Sequence, residues 1–210
     1  MLKTLLTTAG MALVATASLA NDMRTAPVKS HPSQGDVAVV AGATARLATH
    51  DNGVFVNIDT TALTPGNVHT LWLVVINNPA ACEGENCTSK DVLKRSDIVD
   101  SDVGYAGGVI VDENGEARFA YHQAEGALNG GWFGAGLKAT DAAEIHLVIN
   151  DHGPVINDRV ERMLATYRDG CTDESIPAPM PDTARAQGEA GPNACRLMQF
   201  AIFKPEAPAS

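Results

Sequence analysis

The chain is 210 residues long, with 15 Lys and Arg against 25 Asp and Glu, a net charge of −10, and 45% hydrophobic residues. That length supports one sizeable core, and no linker separates a second domain. Cations scattered singly or in pairs along an acidic chain exclude a phosphate-binding surface, so nucleic acid is not an expected partner.

Met1-Leu2-Lys3 followed by the uncharged run Leu5 to Leu19 reads as a signal peptide over 1–20, with Ser18 and Ala20 as the small residues before the cleavage point. The run is short for a membrane span and is broken by Thr7, Thr8 and Gly10, and no later segment is apolar enough to span. The expected location is secreted or periplasmic. Removing 1–20, whose only charged residue is Lys3, leaves 14 cations against 25 anions, a net charge of −11. Residues 21–35 are polar and contain prolines, and are expected to form a flexible leader.

Strand signals begin after the leader. Ala43 to Thr49 and Val54 to Asp59 alternate around Asp51-Asn52-Gly53, a strong hairpin pattern. Val109 to Asp112 and Ala117 to Tyr121 flank Glu113-Asn114-Gly115-Glu116, which predicts a second tight hairpin. Thr64-Pro65-Gly66-Asn67 suits a type II turn. Val68 to Ile76 is apolar on both faces, as a central covered strand would be, and Glu144 to Asn150 and Arg196 to Phe203 read as further core strands. Ile156 to Tyr167 has helical spacing, with Asn157 or Asp158 as cap and Gly170 beyond its end. The stretch from Ile176 to Pro192, rich in Pro, Ala and Gly, is expected to be disordered or loosely held. Residues 206–210 read as a tail. The sum is an all-β antiparallel sandwich of seven or eight strands over 36–205 with one accessory helix, a small β-barrel being the alternative.

Cys82, Cys87, Cys171 and Cys195 suggest two disulfides outside the cytoplasm. Three pairings are open, and chain proximity favours Cys82 with Cys87 and Cys171 with Cys195, the second tethering a loop over 172–194. A four-thiolate zinc site is the competing reading, with spacing that departs from paired C-x2-C ligands.

Of six histidines, His69, His146 and His152 lie on or beside predicted strands, where cross-strand neighbours could hold copper or zinc. Asp151-His152-Gly153-Pro154 reads as a turn beyond a strand, as does Asn77-Asn78-Pro79. If those strands run in the same sense, Asn77, Asn78, Asp151 and His152 share one end with the Cys82 loop and form a binding surface. Trp132, within Asn129-Gly130-Gly131-Trp132-Phe133-Gly134, is a candidate exposed stacking residue. Glu85, Asp91, Asp97, Asp100 and Asp102 read as a solvated acidic loop, without the central Gly of a twelve-residue calcium loop. There is no G-x-S-x-G elbow and no recognisable Ser–His spacing, so no catalytic residues are assigned.

The chain from about Ala41 to Phe203 resembles a group of uncharacterised secreted or lipid-anchored bacterial proteins. The resemblance rests on Thr70 to Pro79, the two-Cys loop, Ala143 to Val148 and His152-Gly153-Pro154, in that order. More distantly, Gly115 to Phe119 and the strand carrying His146 resemble CHRD-type β domains. These resemblances imply a location and a fold but no activity. A lipobox cysteine is missing at the cleavage site, so no lipid anchor is implied. The functional expectation is a non-enzymatic binding or envelope-associated domain whose partner is an unidentified ligand or envelope component. The competing expectation is a copper or zinc protein built on His146, His152 and His69.

Overall fold

The computed structural model describes residues 23–205; the expected signal peptide and the tail lie outside the described residues. Eight strands make one sheet: β1 Met23–Ser30, β2 Val39–His50, β3 Gly53–Thr60, β4 Asn67–Ile76, β5 Ser101–Ile110, β6 Ala117–Ala124, β7 Glu144–Pro154 and β8 Arg196–Phe203. Their order is β5-β4-β7-β8-β1-β2-β3-β6, and every pairing is antiparallel. The sheet curls so that its edge strands β5 and β6 touch, and Phe119 of β6 reaches the backbone of Gly107. The all-β expectation holds, in the form of a nearly closed barrel and not two stacked sheets.

Alternation along the strands builds two cores, one on each side of the sheet. Leu71, Leu73 and Val75 of β4 and Ile145, Leu147 and Ile149 of β7 point into the barrel with Leu47, Val56 and Ile58. Trp72, Val74 and Ile76 point outward into a second cluster with Val92, Val99, Trp132, Tyr167 and Met180, supplied by long connections. Those connections carry short helices, α1 Ser89–Lys94, α2 Ser96–Val99, α3 Val160–Met163 and α4 Asp182–Arg185. The strand apolar on both faces is therefore apolar because both faces are covered.

The first hairpin forms as expected, with His50 opposite Gly53. Gly53 is required by close approach, since a Cβ there would stand 2.4 Å from the Gln123 carbonyl oxygen on β6. The second expected hairpin is not one. Its turn exists, with Gly115 at φ +76°, but β5 and β6 pair with different neighbours. The backbone of Leu63 and Gly66 bonds to Gly115 and Val111 instead, wedging the β3–β4 connection between them.

Four other expectations are corrected. The supposed leader contains β1, which sits between β2 and β8 with Ala26 and Val28 in the core. Pro27 is tolerated there because β8 pairs only with Lys29 and Ser30, so the missing N–H costs no ladder bond. The Asp151-His152-Gly153-Pro154 turn is the end of β7. The twelve-residue helix shrinks to α3, with Met163 buried within it and Tyr167 buried beyond it. The segment 176–192 is ordered, burying Ile176, Met180 and Ala184 in the outer core. Among the described residues no helix is long and apolar enough to cross a membrane.

Candidate functional site

On its outer face the sheet forms the floor of a cavity of about 610 Å³. Register places Trp72, Val148, Phe200 and Lys29 in one row across β4, β7, β8 and β1, with Val74, His146 and Ile202 in the next. Three strand spacings make that first row about 14 Å long. The volume falls in the range of small-molecule sites.

The wall above β4 is aromatic. Trp72 stacks at 5.3 Å from Trp132 and 5.3 Å from Tyr167, which are 4.9 Å from each other, and Tyr105 closes the group at 5.9 Å from Trp72. Trp132 is held there by its connection, not by a strand. The buried Asp102 carboxylate accepts the N–H groups of Val103, Phe133 and Gly136, and the Trp132 N–H donates to the Val103 carbonyl. Thr183 of α4 donates its hydroxyl to the Trp132 carbonyl. The expectation of an exposed Trp132 is therefore reversed: it is 5% exposed. Its indole N–H is buried with no hydrogen-bond partner among the described residues. Burial pushes the ionisation of Tyr167 upward.

A further part of the wall is formed by the first disulfide, Cys82–Cys87, and by α1, which contributes Val92 and Leu93 to the lining. Asp91 organises it in a capping box. Burial pushes the Asp91 carboxyl up, but donors from Glu83, Thr88 and Arg95 outweigh this and hold it at about 2. Asp91 and Asp102 thus depart from the solvated acidic loop expected, and both are structural acceptors.

The three candidate metal histidines do not converge. His146 lies on the cavity floor, with Nε2 at 2.6 Å from the buried Glu144 carboxylate. His152 shares that face of β7 but stands six residues away, about 20 Å along the strand. His69 points to the opposite face, into the barrel end. There its Nδ1 lies 3.4 Å from the Asn67 carbonyl and its Nε2 3.8 Å from Asp151. Burial lowers the pKa of His69 against the opposing pull of Asp151. His152 is completely enclosed; burial drives its pKa to about 4, with His69 adding to the effect.

His152 packs on the second disulfide, Cys171–Cys195, its Nδ1 3.6 Å from Cys171 Sγ and 3.2 Å from the Asp169 carbonyl. Among the described residues this His–Cys–Cys group is the one set of three potential metal ligands within 4.8 Å, and its two sulfurs are bonded to each other.

The proposed end surface also comes apart. Because β4 and β7 run antiparallel, Asn77 follows the end of β4 beside Glu144, while Asp151 and His152 lie at the other end. Asn77 is a clamp, donating to the Asp100 and Gly136 carbonyls and accepting from Lys138 N–H, and Asn78 is exposed beside it. Asp151 is buried, accepting from Asn67 and from the Gly153 N–H. What residue-by-residue reading missed is the cavity itself. Its signal was the unbroken apolar run of β4, whose outward half needs a cover.

No protein-family model, curated protein or solved structure matches the chain.

Proposed function

We propose that this protein is a non-catalytic binding protein of the extracytoplasmic space that takes up one small, largely apolar molecule in the outer-face cavity. The observation that carries this reading is the cavity: about 610 Å³, floored by Val74, Val148, Phe200 and Ile202 and walled by an aromatic group with an unpartnered indole N–H. An apolar surface of this size is favourable to cover with a ligand. The two disulfides fit a working place in an oxidising compartment, secreted or periplasmic, which agrees with the expected signal peptide.

The test is titration of the mature protein with the neutral probe N-phenyl-1-naphthylamine. The expected result is a saturable fluorescence rise at one site per chain, abolished in Val148→Trp, whose indole fills the floor while the thermal transition is retained. No saturable signal, or a signal unchanged in that variant, overturns the reading. So does hydrolysis of a p-nitrophenyl ester above the buffer rate that is lost in His146→Ala, since His146 carries a carboxylate-paired imidazole into the cavity.

A further inference from the structure

We infer that the ligand is an anionic amphiphile, a carboxylate on a linear hydrocarbon chain, lying across the strands with its charged end toward β1 and β8. This deepens the binding reading above and rests on it.

The charge at the cavity runs against the charge of the protein. In a chain of net charge −10, no Asp or Glu lines the cavity, whereas Lys29 and Lys204 do. Both lysines sit on the β1 and β8 side, at different heights, Lys204 about 13 Å farther along β8 than the row that holds Lys29. Lys29 stands opposite Phe200 in register, and Lys204 follows the last residue of β8. Among the described residues the Lys29 side chain has no ion pair or hydrogen bond, and Lys204 Nζ donates only to the Glu85 carbonyl. The aromatic wall of Trp72, Trp132 and Tyr167 lies across the floor, about 14 Å from Lys29 by strand spacing. A site with one apolar end, one basic end and an apolar floor between them complements a molecule with the same polarity. A neutral ligand would gain nothing from the lysines, and a cationic one would be repelled. The acidic remainder of the surface would repel the same anion, so the lysine side is its way in.

The experiment is displacement of N-phenyl-1-naphthylamine by dodecanoate, dodecanol and dodecyltrimethylammonium, with wild type and Lys29→Gln/Lys204→Gln. The expected result is that dodecanoate competes about tenfold better than dodecanol, a preference of the size that one charge-assisted contact supplies. Added salt should shrink it. The double variant should lose the preference by weakening dodecanoate far more than dodecanol, with the thermal transition retained, as Lys204 is exposed and the half-buried Lys29 side chain makes no ion pair. Equal displacement by all three chains, or a preference unchanged in the variant, overturns this inference and leaves the binding reading standing. Failure of all three chains to displace the probe overturns this inference alone, since saturable probe uptake still supports the binding reading. A concentration-dependent dimer that no longer takes up probe overturns both and would make a second copy the occupant.

Discussion

Thr70 and His152 share a buried hydrogen bond of 2.9 Å that fixes the protonation state of the imidazole. The Thr70 hydroxyl also accepts the Trp72 indole N–H at 2.8 Å. The Asn150 amide also donates to Nε2, at 3.2 Å, leaving Nδ1–H to donate to the Asp169 carbonyl. With Nε2 an acceptor and Nδ1–H a donor, the ring is neutral. This chain of bonds ties the floor of the cavity, through Trp72, to the connection that roofs it.

Stability should therefore fall as the solution is acidified from pH 7 toward pH 4. An unfolded His152 titrates near 6.5 and the folded one near 4, so between these values the unfolded chain binds more protons and acid favours it. The loss from His152 approaches about 3 kcal/mol by pH 4, and His69 and His31, both lowered by burial, act in the same direction. Asp91, held at about 2, contributes only below that window. Urea midpoints measured across the range should show the slope, and His152→Gln should flatten part of it. A wild-type midpoint constant from pH 7 to 4.5 would contradict the assignment.

Thr70→Val should cost about 1 to 3 kcal/mol, because it strands the buried Trp72 N–H while Asn150 still serves His152. Thr70→Ser keeps the hydroxyl and should recover most of the loss. Equal destabilisation in the two variants would show that the methyl group, and not the hydrogen bonds, is what matters.

The sequence made the barrel's framework legible through periodicity, and hid the site because the site is built from register. The apolar runs of β4 and β7 and the Asp51-Asn52-Gly53 hairpin are local signals, and all were readable. β1 was not, because Met23–Ser30 buries only Ala26 and Val28 and carries a proline that marks irregular chain in most settings. Nor could the sense of β4 relative to β7 be read, and that one fact sends Asn77 and Asp151 to opposite ends. The segment 176–192 looked disordered by composition, yet Ile176, Met180 and Ala184 find an apolar partner in the outward face of β4, which no local window contains.

The two disulfides should differ in what they hold. Closing a loop of separation 24, Cys171–Cys195 stabilises by about 3 kcal/mol in the chain-entropy model, and Cys82–Cys87, of separation 5, by about 2 kcal/mol. Cys171→Ala/Cys195→Ala should cost more stability and also loosen Met180, which lines the cavity. Its measurable consequence is weaker uptake of the naphthylamine probe together with a lower urea midpoint. A variant that binds normally despite its lower midpoint would show that the roof packs without its tether.

Trp72 and Trp132, the chain's two tryptophans, should respond unequally to replacement by Phe. Both substitutions remove packing from the outer core. Trp72→Phe also deprives the Thr70 hydroxyl of its donor, so the loss should reach about 2 kcal/mol or more. Trp132→Phe removes a buried N–H that has no partner among the described residues, a group whose desolvation already costs the folded state about 1 to 3 kcal/mol. The relief offsets the lost ring area, and stability should stay within about 1 kcal/mol of wild type in the unliganded protein. Each variant leaves a single indole emitter, so urea unfolding followed by fluorescence measures its stability directly. Equal losses in the two would mean that the Trp132 N–H is satisfied in solution.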